Sequence, residues 1–136
     1  ADYLRANHGT PEILIGHSLG GAAVLAAAPK IADVRAVATI NAPFDPAHVL
    51  RMMAAARPEI ELAGEAEVTL GGRPFRVKKQ FIEDLEQHRL TEGIKRMKKA
   101  LLVMHAPLDV TVNIDNAAQI FLAAKHPKSF VLGLRQ

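Results

Sequence analysis

Apolar residues fall into short runs separated by Gly, Pro, Asn and Asp, and the runs carry two different periods. Residues 12–15 (EILI), 34–40 (VRAVATI), 100–105 (ALLVMH) and 129–134 (SFVLGL) are compact stretches rich in aliphatic residues. Buried strands of a parallel sheet read this way. A helical period fills the gaps. Residues 19–28 (LGGAAVLAAA) form a small-residue helix closed by Pro29, and residues 116–125 place Ala117, Ile120, Phe121 and Ala124 on one stripe. Residues 2–8 read as the end of a further helix, broken by Gly9, Thr10 and Pro11. Strand, helix, strand, then helix and strand is the rhythm of parallel βαβ units.

The middle of the chain breaks that rhythm. Residues 47–56 and 79–88 read as helices, the second with Phe81, Ile82 and Leu85 along one side. Between them, residues 67–70 and 75–77 flank Gly71-Gly72 as a hairpin flanks its turn. The expectation is a single α/β domain over residues 1–136, with about four mostly parallel strands and flanking helices. A mostly helical insertion carrying the hairpin occupies residues 46–98.

At 136 residues and 14.7 kDa the chain has room for one domain. With 49% hydrophobic and 23% charged residues it builds a core rather than remaining disordered. No apolar run approaches the roughly 18 residues of a membrane span. Lys and Arg number 17 against 14 Asp and Glu, a nearly balanced +3, and the aromatics are one Tyr, no Trp and five Phe. So little stacking surface argues against a nucleic-acid partner. The basic cluster Lys95, Arg96, Lys98 and Lys99 reads as a solvated helix face. The absence of cysteine excludes disulfides, thiolate metal sites and a cysteine nucleophile. It fits a reducing compartment, taken as the cytoplasm, and no secretory leader follows Ala1. A first residue other than Met leads to the expectation of a processed or truncated piece. No H-E-x-x-H or similar ligand spacing is present, so neither a metal nor a cofactor is implied.

The chemistry concentrates in Gly16-His17-Ser18-Leu19-Gly20-Gly21, which contains G-x-S-x-G. The pattern alone arises by chance in roughly one chain of this length in 20. Its position, after a buried strand and before an Ala/Gly helix, is what gives it weight. A serine on so sharp a strand-to-helix turn is pushed out above the carboxyl edge of the sheet. Gly16 and Gly20 then let strand and helix approach, and Gly21, Ala22 and Ala23 keep the first helical turn thin. The Leu19 N–H and the positive end of the helix face a developing oxyanion. A phosphate-cradling loop is a weaker reading, because G-x-x-x-x-G-K-[ST] is absent and no lysine follows the glycines.

On GHSLGG the sequence resembles the α/β-hydrolase superfamily and its nucleophile elbow. Residues 101–109 (LLVMHAPLD) resemble the strand and loop that present the acid of the catalytic triad, which implies that role for Asp109. Residues 116–132 resemble a subgroup of bacterial hydrolases, some fused to an OsmC-like domain. The resemblance implies an ester, thioester or amide hydrolase that forms an acyl-enzyme on Ser18, with Leu19 in the oxyanion hole. Its substrate is a small acyl compound bound under the insertion, where Met52, Met53 and Phe81 are candidates for an apolar pocket.

The family's histidine follows the last strand, and here the chain stops at Gln136. His126 precedes that strand, His105 reads as a structural imidazole and His17 as scaffold. His48 and His88 fall in the insertion, and His8 in a polar turn. The strands that precede the elbow in the family, with the second oxyanion donor, are also missing. The resemblance therefore implies a C-terminal-half fragment. Losing one oxyanion donor costs about 2.7–4 kcal/mol and losing the base about 10⁶ in turnover, so the chain alone is expected to be inactive. The elbow strand would also lie at an open edge, predicting a homo-oligomer through Ile13–Ile15. The competing function is a non-catalytic binding module on the same fold.

Overall fold

The computed structural model describes residues 1–70, 72–87 and 90–133. The chain divides into two units, one of Ala1–Asp45 with Leu90–Gln136, the other Pro46–Arg89.

In the first unit, α1 (Asp2–Asn7) leads to β1 (Ile13–His17), α2 (Leu19–Ala27) and β2 (Ala36–Ile40). After the second unit come α6 (Leu90–Arg96), β5 (Ala100–His105), α7 (Asp115–Ala123) and β6 (Lys128–Leu132). The four strands form one sheet in the order β1-β2-β5-β6, and every pairing is parallel. The expected α/β architecture is thus observed, with strand ends moved by one or two residues.

Register fixes which side chains share a face. Ile13, Ile15 and His17 stand beside Ala36, Ala38 and Ile40, which stand beside Ala100, Leu102 and Met104. The opposite face carries Val37, Leu101, Val103 and Phe130. This second face meets the buried core cluster, formed with Ala22 and Leu25 of α2, Leu90 and Ile94 of α6, and Ala117 and Ile120 of α7. Helical stripes at i, i+3 and i+4 supply these contacts. On the first face Ile13 and Ile15 are 62% and 66% exposed. Alternating residues in β2 are apolar on both sides, so the sequence predicts burial of both; among the described residues the core covers one.

The basic cluster is used locally. Lys99 Nζ donates to the carbonyl of Ile31 at 2.8 Å and also to that of Val34, tying the start of β5 to the loop before β2. Lys95 pairs with Glu92 at 3.3 Å, and Arg96 with the same residue at 3.8 Å.

The second unit contains α3 (Ala47–Met52), α4 (Arg57–Ala63), β3 (Glu65–Leu70), β4 (Arg73–Lys78) and α5 (Lys79–Gln87). β3 and β4 pair antiparallel, with Leu70 opposite Arg73 across the expected glycine turn. Gly72 takes φ 77°, a region closed to most side chains; Gly71 lies outside the described residues. The helix expected over 47–56 ends at Met52, and a further helix that the sequence did not announce, α4, follows it. Pro58 sits in the first turn of α4, and Gly64 ends it at φ 81° in the left-handed region. Arg57 pairs with Glu61 within α4 and joins α4 to α5 through Glu86, each at 2.8 Å. Both bonds hold its guanidinium above the usual range, that to Glu61 first. Within the span 46–98 expected as the insertion, α6 buries Leu90 and Ile94 in the core of the first unit.

Candidate active site

β1 ends at His17 and α2 begins at Leu19, so the whole reversal falls on Ser18. Its backbone stands at φ 53°, ψ −127°. A non-glycine residue held there stores about 1–3 kcal/mol of strain. Two hydrogen bonds hold the bend: the Ser18 N–H donates to the Ile40 carbonyl at 2.8 Å, and the Gly21 N–H to the Ser18 carbonyl at 2.9 Å. The Ser18 side of the turn is part-exposed, while Gly16 and Gly21 beneath it are buried.

The glycines divide differently from the sequence expectation. A Cβ at Gly16 would lie 2.5 Å from the carbonyl carbon of Gly20 and 2.6 Å from the nitrogen of Gly21. A Cβ at Gly21 would stand 3.1 Å from the Gly16 carbonyl oxygen and would collide with the Ala42 methyl. At Gly20 a Cβ would meet nothing within 4 Å. The close approach therefore depends on Gly16 and Gly21. Gly20 contributes its backbone to the contact and has room for a side chain.

Asp109 lies four residues beyond β5 in a loop held by polar contacts. The Asp109 N–H donates to the Ala106 carbonyl at 3.1 Å, and Oδ1 of Asp109 accepts from Thr111 N–H at 2.8 Å and Val112 N–H at 2.9 Å. The residue is 8% exposed. Two asparagines that the sequence reading left out frame this region. Asn41, at φ 49° just past β2, accepts the Ala106 N–H on Oδ1 at 2.9 Å. Asn116, in α7, accepts the Phe44 N–H at 3.0 Å and donates to the Asn113 carbonyl at 2.9 Å. The signal for Asn41 was its place in Asn41-Ala42-Pro43 at a strand end, since asparagine tolerates positive φ better than most residues.

Because the sheet is wholly parallel, residues that follow strands gather at one edge. Ser18 follows β1 and Asp109 follows β5, with β2 between those strands. Two strand spacings amount to about 10 Å. Leu19 is the first residue of α2, and helix geometry leaves N–H groups at that end without partners inside the helix.

The remaining candidates lie elsewhere. His126 precedes β6 and so belongs to the opposite, amino edge. His17 is exposed and shares the face of Ile13 and Ile15. His8 is exposed beyond α1, and His105 is fully buried at the end of β5. His88 and the side chain of His48 lie outside the described residues, as does the side chain of Met52. Met53 is 1% exposed and Phe81 part-buried, both in the second unit. Among the described residues no helix is long and apolar enough to cross a membrane.

Comparison with known proteins follows the same lines. The chain is 54% identical to the crystal structure of the esterase domain of a Rhodothermus marinus protein, with a TM-score of 0.83, covering 96% of this chain and 54% of that one. It is 26% identical to alpha/beta hydrolase domain-containing protein 10 from mouse, with a TM-score of 0.69, covering 99% and 57%. A Paleococcus ferrophilus monoacylglycerol lipase shares the fold at 17% identity and a TM-score of 0.74, covering 97% and 62%. The chain thus spans a little over half the length of these structures. No curated protein sequence matches it significantly. Residues 1–125 match the model of the alpha/beta hydrolase family, and the chain belongs to that family.

Proposed function

We propose that this chain carries the nucleophile and the acid of a serine hydrolase acting on esters, thioesters or amides of small molecules. The observation that carries the reading is the backbone of Ser18, at φ 53° and ψ −127°, between β1 and α2 at the carboxyl edge of the sheet. Strain of that kind at a solvent-reachable hydroxyl is a mark of a functional position. The esterase activity named for the Rhodothermus marinus relative, at 54% identity, supports the same reading.

In this mechanism Ser18 Oγ attacks the substrate carbonyl carbon while a base removes its proton. The carbonyl π electrons move onto oxygen, and the resulting oxyanion is held by the Leu19 N–H, the positive end of α2 and a second donor. Collapse expels the alcohol, thiol or amine, which takes the proton from the base, and leaves an acyl group on Ser18. Water then repeats the sequence and releases the acid. Asp109 orients the base and stabilises its charged form, and the hydrogen bonds to its Oδ1 keep the carboxylate in place. The base belongs between Ser18 and Asp109. It is to be sought in the complete reading frame, since the chain spans 54% of the esterase-domain relative.

A fluorophosphonate probe applied to protein made from the complete reading frame tests this directly. Labelling on Ser18 is expected, lost in Ser18→Ala and slowed by about 10⁴ in Asp109→Asn, where the base loses its orienting charge. Folded protein that takes no label favours the alternative, a binding module on a hydrolase fold.

A further inference from the structure

The loop over residues 106–112 has little apolar packing at its tip, since Leu108 is 91% and Val110 97% exposed. It is held at its two ends instead. At the start, the Ala106 N–H donates to Asn41 Oδ1, just past the neighbouring strand β2. At the end, His105 Nε2 lies 2.8 Å from the carbonyl oxygen of Val112. A carbonyl can only accept, so a hydrogen bond here requires the proton on Nε2. Val112 is thereby bound on both sides: its carbonyl to His105, its N–H to the carboxylate of Asp109.

The ring of His105 is fully buried and its Nδ1 finds no partner among the described residues. A buried polar atom without a partner works against folding, and an aliphatic or phenyl side chain would fill the space without one. What the imidazole supplies and those side chains lack is the Nε2–H bond to the loop. We propose that His105 is a positioning residue for Asp109, acting through Val112, with Asn41 fixing the other end of the same loop. The proposal rests on the reading of Asp109 as the acid partner of the site. His105 touches neither substrate nor reacting atoms, and it sets where the carboxylate is presented.

The test uses protein from the complete reading frame. With ¹⁵N-labelled histidine, the wild type is expected to show a slowly exchanging ring N–H at His105 with the proton on Nε2. His105→Phe removes the donor while filling the cavity. Amide exchange at Thr111 and Val112 is expected to quicken at least 10-fold, and kcat on a p-nitrophenyl ester to fall about 10- to 100-fold with KM within about 2-fold, as a displacement near 1 Å would give. His105→Gln, which keeps an N–H donor, is expected to recover part of both losses. A proton on Nδ1 in the wild type overturns the proposal, and so do wild-type kcat and exchange in His105→Phe. If His105→Phe does not fold, the wild-type tautomer and His105→Gln decide. If ester hydrolysis survives Ser18→Ala, the reading of the active site fails. Exchange and tautomer then still judge the contact between His105 and the loop.

Discussion

In Gly16→Ala the added methyl carbon meets backbone. It would stand 2.5 Å from the carbonyl carbon of Gly20 and 2.6 Å from the nitrogen of Gly21, where ordinary contact begins near about 3.5 Å. Relief requires the first turn of α2 to retreat from β1 by about 1 Å, because backbone has no rotamer to change. Overpacking costs about 1–3 kcal/mol, and the rigidity of these neighbours places this case near the top of that range. Restricting the unfolded chain returns about 0.4–1 kcal/mol, leaving a net loss of about 2 kcal/mol. For a chain of this size that is a drop in Tm of roughly 8 °C. The same shift displaces Ser18 and predicts a fall in kcat of about 10²-fold. Gly20→Ala is the control: with nothing within 4 Å of its Cβ, it should gain about 0.5–1 kcal/mol. Thermal and urea unfolding followed by circular dichroism compare the two. Gly16→Ala within about 0.5 kcal/mol of wild type, or equal losses at both positions, would refute the geometric reasoning.

Further predictions use the same methods. Ser18→Gly removes the strain at φ 53° and should raise stability by about 1 kcal/mol while abolishing probe labelling; unchanged or lower stability denies stored strain at the bend. Lys99→Met frees the carbonyls of Ile31 and Val34 and should cost on the order of 2 kcal/mol in urea unfolding, whereas a neutral result would assign the lysine to solvent. We also propose that copies of the 136-residue chain associate through the open edge of β1. Sedimentation should show mass rising with concentration for the wild type and a lasting monomer for Ile15→Lys; a wild-type monomer at high concentration counts against the edge.

Much of the fold is legible because local patterns were consistent with one another. The run at 100–105 is the observed strand β5 to the residue, and the elbow motif lies where β1 gives way to α2. α4 was missed although Pro58 and Gly64 bracket it, since the Ala-rich stretch before it read as one continuous helix. α6 was legible only at its basic end: Lys95 and Arg96 lie on a helix as expected and Lys98 and Lys99 fall beyond it, while Leu90 and Ile94 are too thin an apolar signal to mark its start. The loop around Asp109 shows the limit more sharply. Asn41 and Ala106 are 65 residues apart in sequence, and nothing local to either announces the hydrogen bond between them. The occupancy of each sheet face was equally illegible. A β2 with small and aliphatic residues on both sides reads the same whether one flank or two are covered.

That one-sided sheet changes what a common assay means. Dyes that brighten on greasy surfaces are used to flag loosened, partly melted states. In the 136-residue chain the folded sheet already offers such a surface, with Ile13 and Ile15 largely exposed and Val131 partly so, beside Ile40, Leu102 and Met104. Fluorescence from such a dye at room temperature would report the folded 136-residue chain. Heating would have to be judged by near-ultraviolet or exchange signals instead.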